Sequence, residues 1–415
     1  MQRPSARPRP RLGSRSGRRL AAPVIALLAC VLAAGCATQG SQQAAAGATA
    51  RHGAAAAGRP AASSEAGRLP ARRAAAGRTA VSRAQRTRHA AHRTAAAPVT
   101  ASTRVPGAAG CPMFPADNVW NTDISRLPVS PHSAAWLRSM DSARTFLHPD
   151  FGPDPGGYPY GMPYRIVTSR VHRTLIRFTY ASESNRGPYP FTARTPIEGG
   201  RQASGDRHAI MVNKDTCTLY ELFGAHWSKR RPSAGSGAIW HLRSNALRPA
   251  GWTSADAAGL PILPGLLSYA QVRAAVRTGR PITHAIRFTV QRTQAAFVWP
   301  ARHEASSNHS SKLPPMGARF RLKASFRIAR FCRDASPYCR DAKAVLTEMR
   351  HYGLIVADNG SNWFFGGSAF PQWPDPLVSL LKQIPARAFQ AVNESCLMVS
   401  RNSGEARGGP GCPVG

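Results

Sequence analysis

The chain has 415 residues, a formal net charge of +35 and 43% hydrophobic residues, and neither length nor charge is spread evenly. Residues 1–110 hold 18 Arg, no Lys, one acid (Glu65) and no Trp, Tyr or Phe, a net +17 that leaves +18 for the remainder. A stretch without large apolar side chains cannot offset the conformational entropy of folding, so the core is expected to begin near Cys111. No zinc-finger spacing, aromatic RNP-type strand or GXXG loop accompanies the basic charge, which argues against specific nucleic-acid recognition.

The amino terminus reads as an export signal. Residues 1–19 are Arg-rich, Leu20 to Gly35 are apolar, and Leu32-Ala33-Ala34-Gly35-Cys36 has small residues directly before a cysteine. That arrangement fits a lipoprotein signal peptide over 1–35, with Cys36 as the lipidated residue and the membrane as a partner through the anchor. The alternative is an ordinary signal peptide cleaved nearby. Residues 36–110 are then a disordered, basic Ala/Arg-rich tether, residues 111–395 a single extracytoplasmic domain, and 396–415 a Gly-rich tail. Six cysteines follow the anchor: Cys111, Cys217, Cys332, Cys339, Cys396 and Cys412. In an oxidising compartment they allow up to three disulfides in fifteen pairings. Cys332 with Cys339 is the nearest pair, and Cys111 with Cys396 or Cys412 would tie the domain's ends.

Beyond Cys111, short runs of alternating apolar residues are broken by Pro and Gly. Strands are expected at Tyr164–Ser169, Thr174–Ala181, His208–Asn213, Thr218–Phe223, Gly237–Leu242, His284–Gln291, Ala296–Pro300, Arg319–Phe326, Gly353–Ala357 and Asn362–Phe365. Asn213-Lys214-Asp215-Thr216 reads as a hairpin turn. Arg319, Arg321 and Lys323 alternate with Phe320, Leu322 and Ala324, as in a half-solvated antiparallel sheet. Helices are expected only at Pro131–Met140, Ser268–Thr278, Asp341–Tyr352 and Pro374–Gln383. The fold class is therefore mainly β, a β-sandwich or partly closed barrel with a few peripheral helices.

No G-x-S-x-G elbow, H-E-x-x-H helix, Walker loop or Rossmann glycine run is present, and no cofactor follows from the residues. What remains are polar residues at the ends of apolar strand faces. Asp206 and His208 share a face with Ile210 and Val212, Glu221 returns near His208 across the hairpin, His284 shares a face with Ile286 and Phe288, and Asp358 follows Leu354 and Val356. Asp206, Glu221 and Asp358 could supply the acid and base of glycoside hydrolysis, with His208 and His284 lining the same site. A metal site built from Asp206, His208, Glu221 and His284 is the competing chemistry. The plainest alternative pairs each acid with an Arg such as Arg207 or Arg287 and buries each His. Trp299, Arg302, His303, Asn359 and Trp363 lie in polar segments with the aromatic and amide groups that sugar binding uses.

The stretches Cys111 to Asn121, Leu242 to Pro249, Gly251 to Pro261 and Tyr352 to Gly360 resemble a family of uncharacterised exported proteins from actinobacteria and soil bacteria. The resemblance spans Cys111 to Val392 and implies secretion and a single domain, with no activity attached; the Cys332 to Cys339 insertion departs from its pattern. The expectation is a cell-surface lipoprotein that binds an envelope or environmental polysaccharide and, if it is an enzyme, hydrolyses its glycosidic bonds. The alternative is a non-catalytic, envelope-organising protein that binds anionic polymers.

Overall fold

In chain order the strands are β1 Arg104–Val105, β2 Ala108–Pro112, β3 His148–Asp150, β4 Tyr164–Val167, β5 Arg177–Phe178, β6 Ala209–Asn213, β7 Thr218–Phe223, β8 Ser233–Ala234, β9 Ser236–His241, β10 Ile286–Val290, β11 Arg319–Leu322, β12 Leu354–Asn359, β13 Phe364–Gly366 and β14 Phe389–Val392. The helices are α1 Ser133–Ser139, α2 Tyr269–Thr278, α3 Pro337–His351 and α4 Asp375–Leu381. This computed structural model describes residues 103–153, 160–333, 336–369 and 373–408. The signal peptide, Cys36, nearly all of the tether, and Cys412 lie outside the described residues.

The protein is mainly β, as expected, with its strands in several sheets and few helices. The larger sheet has six strands in the order β14-β11-β12-β10-β13-β3, and the second has four, β4-β6-β7-β9. Both are mixed: β10 with β12, β13 with β3, and β4 with β6 run parallel, while β11, read as part of an antiparallel sheet, pairs antiparallel with β12 and β14. The β6–β7 hairpin is where the sequence places it, with Asn213 opposite Thr218 and the Asn213 side chain accepting from the Asp215 N–H at 3.0 Å. The four-stranded sheet is covered on both faces. Ile210, Val212 and Leu219 enter the main core, while Ala209, Met211, Tyr220 and Leu222 meet Tyr189 and Phe191 in a smaller one.

Local chemistry accounts for the helix ends. Ser268 and Gln271 form a reciprocal capping box at the start of α2. Ser336 caps α3 just ahead of Pro337, four residues before the expected start, because Pro at the first helical position needs no N–H partner. After α3 the chain turns through Gly353 at φ +70°, where a Cβ would come within 2.3 Å of the Phe320 carbonyl. Only glycine fits there.

Other expectations change. Arg319 and Arg321 are buried rather than solvated, because the segment 119–124 covers that face of β11. The Arg319 guanidinium donates to the carbonyls of Val119, Thr122 and Tyr352, and Arg321 donates to that of Ile124. Ala296–Pro300 forms no strand and makes one isolated bridge, Phe297 with Met316. Thr174–Ala181 shrinks to β5. Residues read as a tail belong to the fold: Leu397 and Ala406 are in the core, and Ser403 and Glu405 bridge to Ala246 and Asn118.

Cys332 pairs with Cys339, as the spacing suggested. Cys111, however, pairs with Cys217 and ties β2 to the β6–β7 turn, not to the carboxyl-terminal end. Cys396 is disulfide-bonded as well. Disulfides of this kind place the domain in an oxidising, extracytoplasmic compartment. No helix among the described residues is long and apolar enough to cross a membrane.

Candidate functional site

A buried polar cluster forms around Arg287, the second residue of β10. Its side chain runs past Gly265 and Gly366, where a Cβ would come within 2.8 Å and 2.9 Å of Arg287 atoms. Its Nε and Nη2 donate to the two carboxylate oxygens of Asp256 at 2.7 and 2.5 Å. Both side chains are essentially sealed from solvent, at 2% and 0% exposed. This is the forked, charge-assisted geometry in which guanidinium and carboxylate match best.

Asp358 reaches the same place through a break in the ladder. Phe288 is opposite Val356, but Thr289 is opposite Asp358, so Ala357 is an extra residue in β12. A bulge of one residue moves everything beyond it to the other face. Regular alternation would leave Asp358 on the face of Leu354 and Val356; the bulge aligns it with Thr289 and Arg287 instead. The Ala357 carbonyl accepts from the Ala258 N–H at 2.9 Å, which fastens the bulge to the loop that carries Asp256.

His208, just before β6, supplies a second cation. Its Nδ1 lies 2.6 Å from Glu198 Oε2 and its Nε2 3.1 Å from the Ala255 carbonyl. Two acceptors require two N–H donors, so the ring is an imidazolium with no lone pair left for a metal or a proton. Burial disfavours the charged ring, yet the Glu198 carboxylate, with Asp206 and Asp256, outweighs it and lifts the His208 pKa to about 9. Glu198 moves the opposite way: burial raises it, and His208 brings it below the usual range. The pair's stabilisation has a definite pH window. The part due to His208 is complete below about 6.5 and fades as the pH rises through about 9, while the part due to Glu198 fades as the pH falls below its ordinary value of 4.5. His208→Gln is expected to cost about 2 kcal/mol at pH 5–6.5. In thermal unfolding at several pH values, its deficit should narrow above pH 9; a constant deficit would mean that His208 is folded in its neutral form.

Asp150, at the end of β3, completes the group. It accepts from the hydroxyl of Tyr160. Burial, helped by Glu198 and Asp206, raises its pKa against the pull of Tyr160 and Arg287. Burial also pushes the Asp358 carboxyl up to about 7, with Asp256 and Asp206 adding to the effect and Arg287 and His208 opposing it. The cluster thus sets five carboxyl groups (Asp150, Glu198, Asp206, Asp256 and Asp358) around two cations, His208 and Arg287. Asp206 is exposed and Tyr160 is 42% exposed, so one side is open to solvent. A carboxyl group pushed up to about 7, in the same cluster as Glu198 held below the usual range, is equipped for proton transfer.

Of the residues singled out in the sequence, Asp206, His208 and Asp358 come together here. Glu221 lies fully buried on β7, where its carboxylate accepts from the N–H groups of Ile262 and Leu263 and from Trp240 Nε1. It anchors the Asp256 loop and does not bond His208, although burial pushes its pKa up to about 7. His284 is elsewhere, against α2 and α3, with Gln271 at 3.2 Å and Glu348 at 3.6 Å. Trp363 is a core residue packed on Phe288, Phe320 and Phe389. Asn359 bonds Thr293 and the Ala305 carbonyl, and His303 bonds the Ala257 carbonyl beside Asp256. Arg302 donates to Arg248, Arg401 and Asn402, and with Trp299 it lines a separate cavity of about 820 Å³.

Asp150, Tyr160, Glu198, Asp256 and Arg287 were not legible as site residues. Arg287 offered one signal: a charged residue between Ile286 and Phe288 in an apolar strand requires a buried counter-ion. Among the described residues, no group of three or more His, Cys, Asp or Glu is arranged to hold a metal ion. The chain matches no family model, no curated protein and no solved structure.

Proposed function

We propose that the protein is lipid-anchored through Cys36 to the outer face of the cell membrane, and that its β-rich domain binds a polysaccharide of the envelope or surroundings and hydrolyses its glycosidic bonds. The observation that carries this reading is the convergence of Asp358 and Asp206 beside the buried Arg287–Asp256 pair. Glycoside hydrolysis needs one carboxyl group that donates a proton to the leaving oxygen and a second that acts as base or nucleophile. Asp358, with its pKa pushed up to about 7, suits the donor role, and exposed Asp206 suits the other. His208 and Arg287 hold the surrounding carboxylates in place and balance their charge.

The test is release of reducing ends from peptidoglycan, teichoic-acid-bearing walls and neutral polysaccharides. Asp358→Asn is expected to lower the rate by about 10²- to 10⁴-fold, with Asp206→Asn similarly impaired and wild-type activity falling as pH rises through about 7. An Asp358→Asn protein as active as wild type would remove the acid assignment. The second reading, a non-catalytic binder of anionic polymers, is favoured by the +18 net charge of residues 111–415. It predicts salt-sensitive wall binding with no bond cleavage.

A further inference from the structure

The cavity of about 820 Å³ lies between the start of α1, the segment 294–302, the start of β11 and the residues that follow β14. Its size falls within the range of small-ligand sites. Trp136, Phe297 and Trp299 give it an aromatic lining. The Trp136 N–H donates to the Ser311 carbonyl at 3.1 Å, and the Trp299 N–H to the Ser403 carbonyl at 2.8 Å. Both indoles are therefore fixed by their edges, and what they offer a guest is carbon surface. His132 stacks on Trp136 at 5.5 Å between centroids and stiffens that wall.

One polar group in this lining is left incomplete. Glu394 is only 6% exposed, and its Oε2 accepts from the buried Arg319 at 3.2 Å. Its Oε1 is buried and has no hydrogen-bond partner among the described residues. A buried acceptor without a donor is costly, and native proteins rarely leave one without cause. Burial pushes the Glu394 carboxyl up to about 7 against the pull of Arg319, so the group calls for a neutral hydroxyl partner rather than another cation. Arg302 spends three of its five N–H donors on Arg248, Arg401 and Asn402, which fixes it as part of the wall.

We propose that this cavity is a glycan-binding site for one or two neutral pyranose units, stacked on Trp299 with a hydroxyl donated to Glu394. Carbon surface beside an unpaired acceptor is the combination that a sugar ring satisfies, with its C–H face on the indole and its hydroxyls on the carboxylate. The inference rests on the cavity alone and needs no turnover at Asp358, so the two readings can fail separately.

The experiment is titration of the protein with cellotetraose, chitotetraose and xylotetraose, followed by calorimetry and tryptophan fluorescence. Saturable binding of at least one is expected, about tenfold weaker in Trp299→Ala and weakened in Glu394→Gln. Trp299→Phe keeps a stacking ring and should retain most of the affinity, which separates loss of the ring from loss of the fold. Absence of saturable binding to all three sugars overturns the proposal. So does binding that survives both Trp299→Ala and Glu394→Gln. Binding lost in Asp358→Asn but kept in Trp299→Ala also overturns it, and assigns the sugar to the carboxylate cluster.

Discussion

Asp256→Ala is expected to destabilise the domain by about 3–5 kcal/mol, the cost of stranding a buried guanidinium. Arg287 has no exit to water: Gly265 and Gly366 press on its stem, and its Nε and Nη2 meet the Asp256 carboxylate. Removal of the carboxylate leaves a cation in a site that is 2% exposed. The double variant Asp256→Leu/Arg287→Met should recover most of that loss, because a buried ion pair contributes little net stability over well-packed apolar side chains. The pair would then serve geometry rather than stability, holding charge next to Asp358. Chemical denaturation of the wild type, both single variants and the double variant checks this. A single variant within about 1 kcal/mol of wild type would mean that solvent reaches Arg287 and that the pair is not sealed.

The second large effect is expected at Cys111–Cys217. This bridge closes a loop with a sequence separation of 106, against 7 for Cys332–Cys339. Loop-closure entropy assigns about 4–5 kcal/mol to the long bridge and about 2 kcal/mol to the short one, on a model in which cross-links act on the unfolded chain. Cys111→Ala/Cys217→Ala should therefore lower the unfolding midpoint much more than Cys332→Ala/Cys339→Ala. Equal losses would point to native contacts, such as the packing of Cys111 in the core, rather than to chain entropy.

Features set by local chemistry were legible in the sequence. The β6–β7 hairpin, α2 and the mainly β character were legible from alternation, turn residues and the helix read over Ser268–Thr278. Features set by distant neighbours were not. β3 contains Pro149, which reads as a strand breaker and is tolerated because β3 is an edge strand with one partner. Arg319 and Arg321 look like a solvent face until the carbonyls of segment 119–124 are laid over them. Asp206, His208 and Asp358 could be named because polar residues at the ends of apolar runs are visible in one dimension. Their companions Asp150, Glu198 and Asp256 come from segments that share no periodicity, and Arg287, on the expected strand His284–Gln291, reads only as a counter-ion. The bulge at Ala357, which decides the face Asp358 occupies, leaves no trace in the pattern.

The order of the six-stranded sheet carries a consequence for how the domain is made. Its two edges, β3 at residues 148–150 and β14 at residues 389–392, come from opposite ends of the folded chain. Between them, β12 and β13 flank β10 on either side, although they follow each other in sequence. Such a sheet cannot close as the chain emerges; it waits for β14, the last strand among the described residues, and contacts of long sequence separation form slowly. Until β14 arrives, β11 has an open flank that can pair with another chain. A nascent copy crossing a membrane therefore cannot complete this sheet until Phe389–Val392 are across, and that interval is when a chaperone or a protease would meet it.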